Sequence, residues 1–236
     1  MTHALWRIQL LKEIFFELRF NLPNSPENNR IIHFLVSCAK TDLLRNLEIE
    51  KSFSELITFG FMKKAIFLVG FMGAGKSTIG FELAKRLELP FKDSDLEIEK
   101  QNGLSISALF AKYGETGFRV LEQAWIIENI QPAAVVALGG GAFSVKENKR
   151  QILEQGTVIY LKASIATLTQ RLWEHANDRP LIKKYESNQK ELEDYIRNTL
   201  KVRQSDYESA TFTVDANVSV EETVAEILNS LERHSQ

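Results

Sequence analysis

The eight residues Gly70-Phe-Met-Gly-Ala-Gly-Lys-Ser77 constrain this chain more than any other stretch. They fit G-x-x-x-x-G-K-[ST] and stand between an apolar run, Ala65-Ile-Phe-Leu-Val69, and an amphipathic pattern from Lys76 to Leu87. The run predicts a buried strand and the pattern predicts a helix. A glycine-rich turn that only caps a helix is the plainer alternative, and the strand-loop-helix context weighs against it. Without Cβ atoms at Gly70, Gly73 and Gly75, the backbone can curl and aim successive N–H groups at phosphate oxygens. The helix beginning near Lys76 adds its positive end. Lys76 supplies a mobile charge for the β- and γ-phosphates, and the Ser77 hydroxyl is placed to ligate Mg²⁺. The loop therefore predicts ATP with Mg²⁺.

Downstream the same alternation continues. Strands are predicted at Ala133–Leu138, Thr157–Leu161 and Thr211–Val214, and a shorter one ends at Asp93. Helical patterns lie at 105–113, 117–130, 145–155, 164–175, 188–203 and 220–233. This order predicts an α/β fold of three layers, with a central parallel sheet of about five strands covered by helices and ligands at the carboxyl ends of the strands. The regular pattern starts near Met62, so residues 62–236 are expected to form the catalytic domain. Residues 1–61 hold an amphipathic pattern over Leu5–Phe20 and a loop-like stretch over 21–29, with no motif. They are either a genuine extension that docks on the domain or a partner, or an overlong gene model whose true start is Met62.

Composition sets outer limits. Of 236 residues 25% are charged, and the formal net charge of -2 gives no bulk basicity for a nucleic-acid partner. The single cysteine, Cys38, excludes an intramolecular disulfide framework and reads most simply as a small buried hydrophobe. The Leu5–Phe20 stretch carries Arg7, Lys12, Glu13, Glu17 and Arg19, so it cannot span a bilayer, and its layout is not that of a signal peptide. No membrane association is expected, and a cytoplasmic location follows by default.

The acceptor must be read from charges near the other strand ends. Asp93 and Asp95 end the second strand with side chains pointing the same way, where they could hold a Mg²⁺ water and orient a hydroxyl; the simpler alternative is a helix N-cap at Ser94 or Asp95. Arg119 and Glu122 share one helical face, either as a braced fork for a substrate carboxylate or as an exposed ion pair. Gly139, Gly140 and Gly141 follow a strand, where bare amides could bind an acceptor hydroxyl or carboxylate; a flexible turn is the alternative. The polar stretch from Asn177 to Lys190 looks like a lid, with Arg179 at its base to close over the γ-phosphate. Arg203, late in a long helix, could give a second fork for the acid.

In order and spacing, Gly-Phe-Met-Gly-Ala-Gly-Lys-Ser-Thr (70–78), Asp-Ser-Asp (93–95), Gly-Phe-Arg-x-x-Glu (117–122), Gly-Gly-Gly (139–141), Arg-Pro-Leu (179–181) and Arg-x-x-x-Tyr (203–207) resemble the shikimate kinase family. The resemblance covers residues 62–233 and implies a P-loop kinase that phosphorylates shikimate with ATP and Mg²⁺. It implies nucleotide contacts from Gly73, Ala74, Gly75, Lys76, Ser77 and Thr78, with Arg171 against adenine, and a magnesium shell held by Ser77 and Asp93. It also implies that Asp95 holds the acceptor hydroxyl as candidate base, that Arg119 and Arg203 grip the carboxylate, and that Glu122 braces Arg119. Gly139 to Gly141 would complete the pocket, Phe118 and Phe110 would wall its apolar side, and Arg179 would stabilise the transferring phosphoryl group. The sequence departs from the family pattern at Gln204-Ser-Asp206 and, by one residue, in the Arg171 to Arg179 spacing. A monomer is implied by resemblance alone. The alternatives are a kinase for another polyol acid such as gluconate, and a nucleotide-binding regulatory protein that contacts a partner through residues 1–61.

Overall fold

The computed structural model describes residues 64–130, 133–174 and 180–234. The predicted Leu5–Phe20 helix, Cys38 and Arg179 lie outside them. β1 (Ala65–Val69) leads into α1 (Lys76–Leu87), and β2 (Phe91–Asp93) leads into α2 (Ser94–Asn102) and α3 (Ile106–Asn129). β3 (Val135–Ala137) runs through a 3-10 turn (Ala142–Ser144) into α4 (Lys146–Gln155). β4 (Gly156–Lys162), α5 (Ile165–Glu174), the one-turn α6 (Pro180–Lys183), α7 (Gln189–Tyr207), β5 (Phe212–Asp215) and α8 (Val220–His234) complete the order. The five strands are parallel, in the order β2-β3-β1-β4-β5, as the alternation predicted.

Register sets where chemistry can happen. Leu68 and Asp93 both pair with Ala137, and Val69 pairs with Tyr160, so the carboxyl ends of β2, β3, β1 and β4 finish nearly level. Loops leaving those ends therefore share one edge of the sheet. Along β1 alternate side chains serve opposite layers. Ala65, Phe67 and Val69 join a core with Leu109, Phe118, Trp125 and Ile126 of α3, Ile152 of α4 and Tyr207 of α7. Leu68 faces α1, where a Cβ at Gly80 would lie 3.1 Å from its Cδ1. Both faces of β1 are covered, which is why its residues form an unbroken apolar run rather than an alternating one.

Several boundaries differ from expectation. The helices predicted at 105–113 and 117–130 form one element, kinked where Gly114 takes φ 68° and ψ -179°. α7 continues to Tyr207, four residues beyond its predicted end, so the departure at 204–206 is helical. There Asp206 pairs with Lys149 of α4 at 3.0 Å. α2 is a helix that the sequence offered only through the alternative N-cap at Ser94 or Asp95. Its residues Ser-Asp-Leu-Glu-Ile-Glu-Lys-Gln-Asn carry only two apolar side chains and bury only Ser94 and Ile98, so no apolar stripe announces it. Its N-cap is Asp93, not Ser94 or Asp95: Asp93 Oδ1 accepts from the Asp95 and Leu96 N–H groups at 3.1 and 3.3 Å. Among the described residues no helix is long and apolar enough to cross a membrane.

Candidate active site

The loop after β1 curls as its glycines allow. Gly70, Gly73 and Gly75 take φ of 144°, 82° and 93°, in a region that penalises any side chain. Gly75 caps α1 without a side-chain bond, leaving the first N–H groups of the helix to face the loop's concavity. Lys76 Nζ donates to the Gly70 and Phe71 carbonyls at 2.9 and 3.0 Å, folded over its own loop. Ala74 is fully buried beneath, whereas Ser77 and Thr78 are exposed on the first turn of α1. Beside the loop, Arg171 of α5 donates to the Gly73 carbonyl at 3.4 Å and to the Ala216 carbonyl at 3.0 Å, joining the loop to the residue after β5.

Only Asp93 ends β2; Asp95, expected beside it on the strand, lies in the first turn of α2 because the helix begins at Ser94, and the two aspartates divide their work. Asp93 uses one oxygen for the α2 cap, and its Oδ2 accepts from the Ser77 hydroxyl at 2.5 Å. That pair of hard oxygens fits Mg²⁺, which takes one or two protein ligands and keeps its remaining waters. Among the described residues no group of three or more carboxylate, histidine or cysteine side chains forms a fuller cage. Asp95 points toward the β3 loop. Burial raises its carboxyl above the usual range, Lys76 opposes that, Asp93 and Glu99 add to it, and Arg119 lowers it.

Gly139 to Gly141 lie between these groups. A Cβ at Gly139 would stand 2.6 Å from Asp95 Oδ1 and 2.9 Å from Glu122 Oε1, so those two carboxylates flank the glycine. A Cβ at Gly141 would fall on the Arg119 guanidinium. Arg119 Nη1 donates to Glu122 Oε2 at 2.8 Å, and its Nη2 lies 3.4 Å from Glu115. The Arg119–Glu122 pair is thus not the exposed ion pair of the simpler reading, since the Glu122 side chain is 1% exposed. Burial pushes Glu122 up to about 7 against the pull of Arg119, with Asp95 raising it and Arg203 lowering it. Its Oε1 has no hydrogen-bond partner among the described residues. Arg203 of α7 reaches across to donate to the Gly140 carbonyl at 3.1 Å, and the Tyr207 hydroxyl donates to the same oxygen. Phe118 is buried and stacks on the half-buried Phe110 at 4.4 Å, with the Arg119 guanidinium 5.5 Å from the Phe118 ring centre.

The fold therefore brings Asp93, Asp95, Arg119, Glu122, Gly139 to Gly141 and Arg203 to the sheet edge that also carries Lys76 and Ser77. Two residues escaped sequence reasoning. Ser94 is fully buried, and its Oγ accepts from the Gly139 N–H at 2.9 Å, tying the β2 and β3 loops together. Its place between the two aspartates was the available signal. Tyr207 belongs to the Arg-x-x-x-Tyr motif, yet a tyrosine four residues after an arginine on a helix reads as packing.

The shikimate kinase family model matches residues 72–232. A shikimate kinase from Chlorobium phaeobacteroides is 42% identical over 175 residues, covering 72% of this chain and 91% of its own length. The solved shikimate kinase from Acinetobacter baumannii, in complex with shikimate, superposes with a TM-score of 0.68 at 34% identity, over 75% of this chain and 98% of that one. A gluconokinase from Sinorhizobium meliloti, at 17% identity and a TM-score of 0.50 over 74% of this chain and 94% of that one, shares the fold alone. With the family model spanning most of the chain and the motif residues gathered at one sheet edge, this chain belongs to the shikimate kinase family.

Proposed function

We propose that this chain transfers the γ-phosphoryl group of ATP to the 3-hydroxyl of shikimate, giving shikimate 3-phosphate and ADP on the route to chorismate and the aromatic amino acids. The observation that carries this reading is the convergence of one carboxylate, Asp95, and two arginines, Arg119 and Arg203, on the Gly139–Gly141 loop beside the phosphate loop. A hydroxylated acid needs a hydrogen-bond acceptor at its reacting hydroxyl and cationic forks at its carboxylate, and a neutral polyol needs only the first.

In the proposed reaction the acceptor oxygen bonds to the γ-phosphorus as the bond to the β,γ-bridging oxygen breaks, and the hydroxyl proton passes to Asp95. The raised Asp95 carboxyl favours that late proton transfer. Charge spreads over the transferring oxygens in a loose transition state, so stabilisation belongs to Lys76 and the loop amides of Gly73, Ala74 and Gly75, joined by Ser77 and Thr78 at the start of α1. Ser77 and Asp93 would hold Mg²⁺, which when bound supplies positive charge against the phosphate oxygens. Arg171 is assigned to the adenine side by family resemblance, and its bonds to the Gly73 and Ala216 carbonyls hold it beside the phosphate loop. Arg179 is assigned to the transferring group from motif order alone. Arg119, braced by Glu122, and Arg203 would take the acceptor carboxylate, with Phe118 and Phe110 on the apolar side. Residues 62–236 form the catalytic unit in this reading, and family resemblance supports a monomer acting in the cytoplasm without nucleic-acid or membrane partners.

The test is ADP release with Mg-ATP and shikimate, gluconate or no acceptor. Turnover should depend on shikimate alone; equal rates with gluconate, or release independent of any acceptor, would overturn the assignment.

A further inference from the structure

Tyr207 closes the Arg-x-x-x-Tyr motif, yet phosphoryl transfer as proposed gives it nothing to do. Its ring is buried and stacks on Tyr160 at 5.1 Å and 24°. Tyr160 in turn pairs with Val69, the last residue before the phosphate loop, so the phenol is mounted on the centre of the sheet. Burial pushes that phenol up to about 12, which keeps its proton in place to donate. It donates to the Gly140 carbonyl, the oxygen that also accepts from Arg203 Nη1.

Two donors on one carbonyl fix a peptide plane. The Gly140–Gly141 peptide is planar, and a trans amide sets the Gly141 N–H opposite the Gly140 carbonyl, away from the donors of α7. Among the described residues neither the Gly140 nor the Gly141 N–H finds an acceptor. Gly141 also lies against the Arg119 guanidinium. The Gly141 backbone and the Arg119 fork thus lie side by side, while Arg203, the other fork, spends its Nη1 on the carbonyl that aims the amide. If Arg203 turned to a substrate carboxylate, a lone donor would remain to hold the plane, and that donor is the Tyr207 hydroxyl.

We propose that the Tyr207 hydroxyl is a positioning group for acceptor-carboxylate recognition: it holds the Gly140 carbonyl so that the Gly141 N–H stays aimed while Arg203 engages the carboxylate. This rests on the reading that the acceptor is shikimate. Tyr207→Phe keeps the ring and its stack on Tyr160 and removes the donor to the Gly140 carbonyl, together with the hydroxyl's own contact to Arg203. Loss of one such bond should raise the shikimate KM roughly fivefold to tenfold, with the ATP KM and kcat within about twofold of the unsubstituted chain. With an analogue bearing a hydroxymethyl group in place of the carboxylate, the two proteins should not differ in acceptor KM. Tyr160→Phe should change neither constant. An unchanged shikimate KM in Tyr207→Phe, an equal rise for the analogue, or a parallel rise in ATP KM would overturn the proposal. So would a variant that fails to fold, since the hydroxyl would then hold the structure rather than the amide. Absence of shikimate-dependent turnover in the unsubstituted chain would instead overturn the functional reading, and this proposal with it.

Discussion

Glu122 keeps one carboxylate oxygen on Arg119 and the other, buried, without a partner among the described residues. A carboxylate in that position is pulled two ways: the guanidinium favours the charged form, and removal from water favours the neutral one. Here burial prevails, and the group titrates near 7 rather than at its ordinary 4.5. A folded state that binds a proton more tightly than the unfolded chain gains stability that is complete below the unfolded value and is lost as pH rises through the folded one. Each tenfold gain in proton affinity is worth about 1.4 kcal/mol, so the stability at stake between 4.5 and about 7 is on the order of 3 kcal/mol. Glu122→Gln cannot ionise, yet its amide oxygen can still accept from Arg119. The melting temperature of Glu122→Gln relative to the unsubstituted chain should therefore climb between pH 5 and pH 8. Parallel melting curves across that range would mean that Arg119 keeps Glu122 ionised throughout and that burial is the weaker influence.

Ser94 shows how elements rather than single side chains build the acceptor pocket. β2 and β3 are paired only along three residues each, Phe91 to Asp93 with Val135 to Ala137, and their register ends before either loop begins. Beyond it the buried bond from the Gly139 N–H to Ser94 Oγ carries the pairing on, keeping the aspartates of one loop against the glycines of the other. Ser94→Ala leaves that N–H buried and unpaired, at a cost of about 1–3 kcal/mol. Urea denaturation should show that loss with an unchanged m-value, and the shikimate KM should rise with it. A stability change under about 0.5 kcal/mol would mean that water or a backbone shift replaces the serine. Sequence shows such features unevenly. The strands and α1 were legible because an unbroken apolar run and an amphipathic helix are what burial on two faces and on one face demand. α2 was not, since a helix that buries only Ser94 and Ile98 leaves its pattern to polar residues. Asp93 was legible as a carboxylate at a strand end, but its capping bond depends on where the helix begins, which periodicity fixes only loosely.

At the scale of the whole molecule, the hydrogen bonds that build the site join residues between Gly70 and Ala216, inside the part that belongs to a known family. The solved relative from Acinetobacter baumannii is covered over 98% of its length by only 75% of this chain. Site motifs were legible because phosphate cradles, carboxylate forks and bare amides need particular residue types at particular spacings. Residues 1–61 hold no such motif, and so no function could be read from them. If residues 62–236 hold the whole catalytic unit, a chain begun at Met62 should keep kcat and the KM values for ATP and shikimate within about twofold, because a missing direct contact to either substrate would cost more than that. Steady-state kinetics of the two chains side by side decide it. A tenfold rise confined to the shikimate KM would place a residue of the first 61 in acceptor binding, and loss of turnover together with a lower melting temperature would show that the catalytic unit begins earlier than Met62.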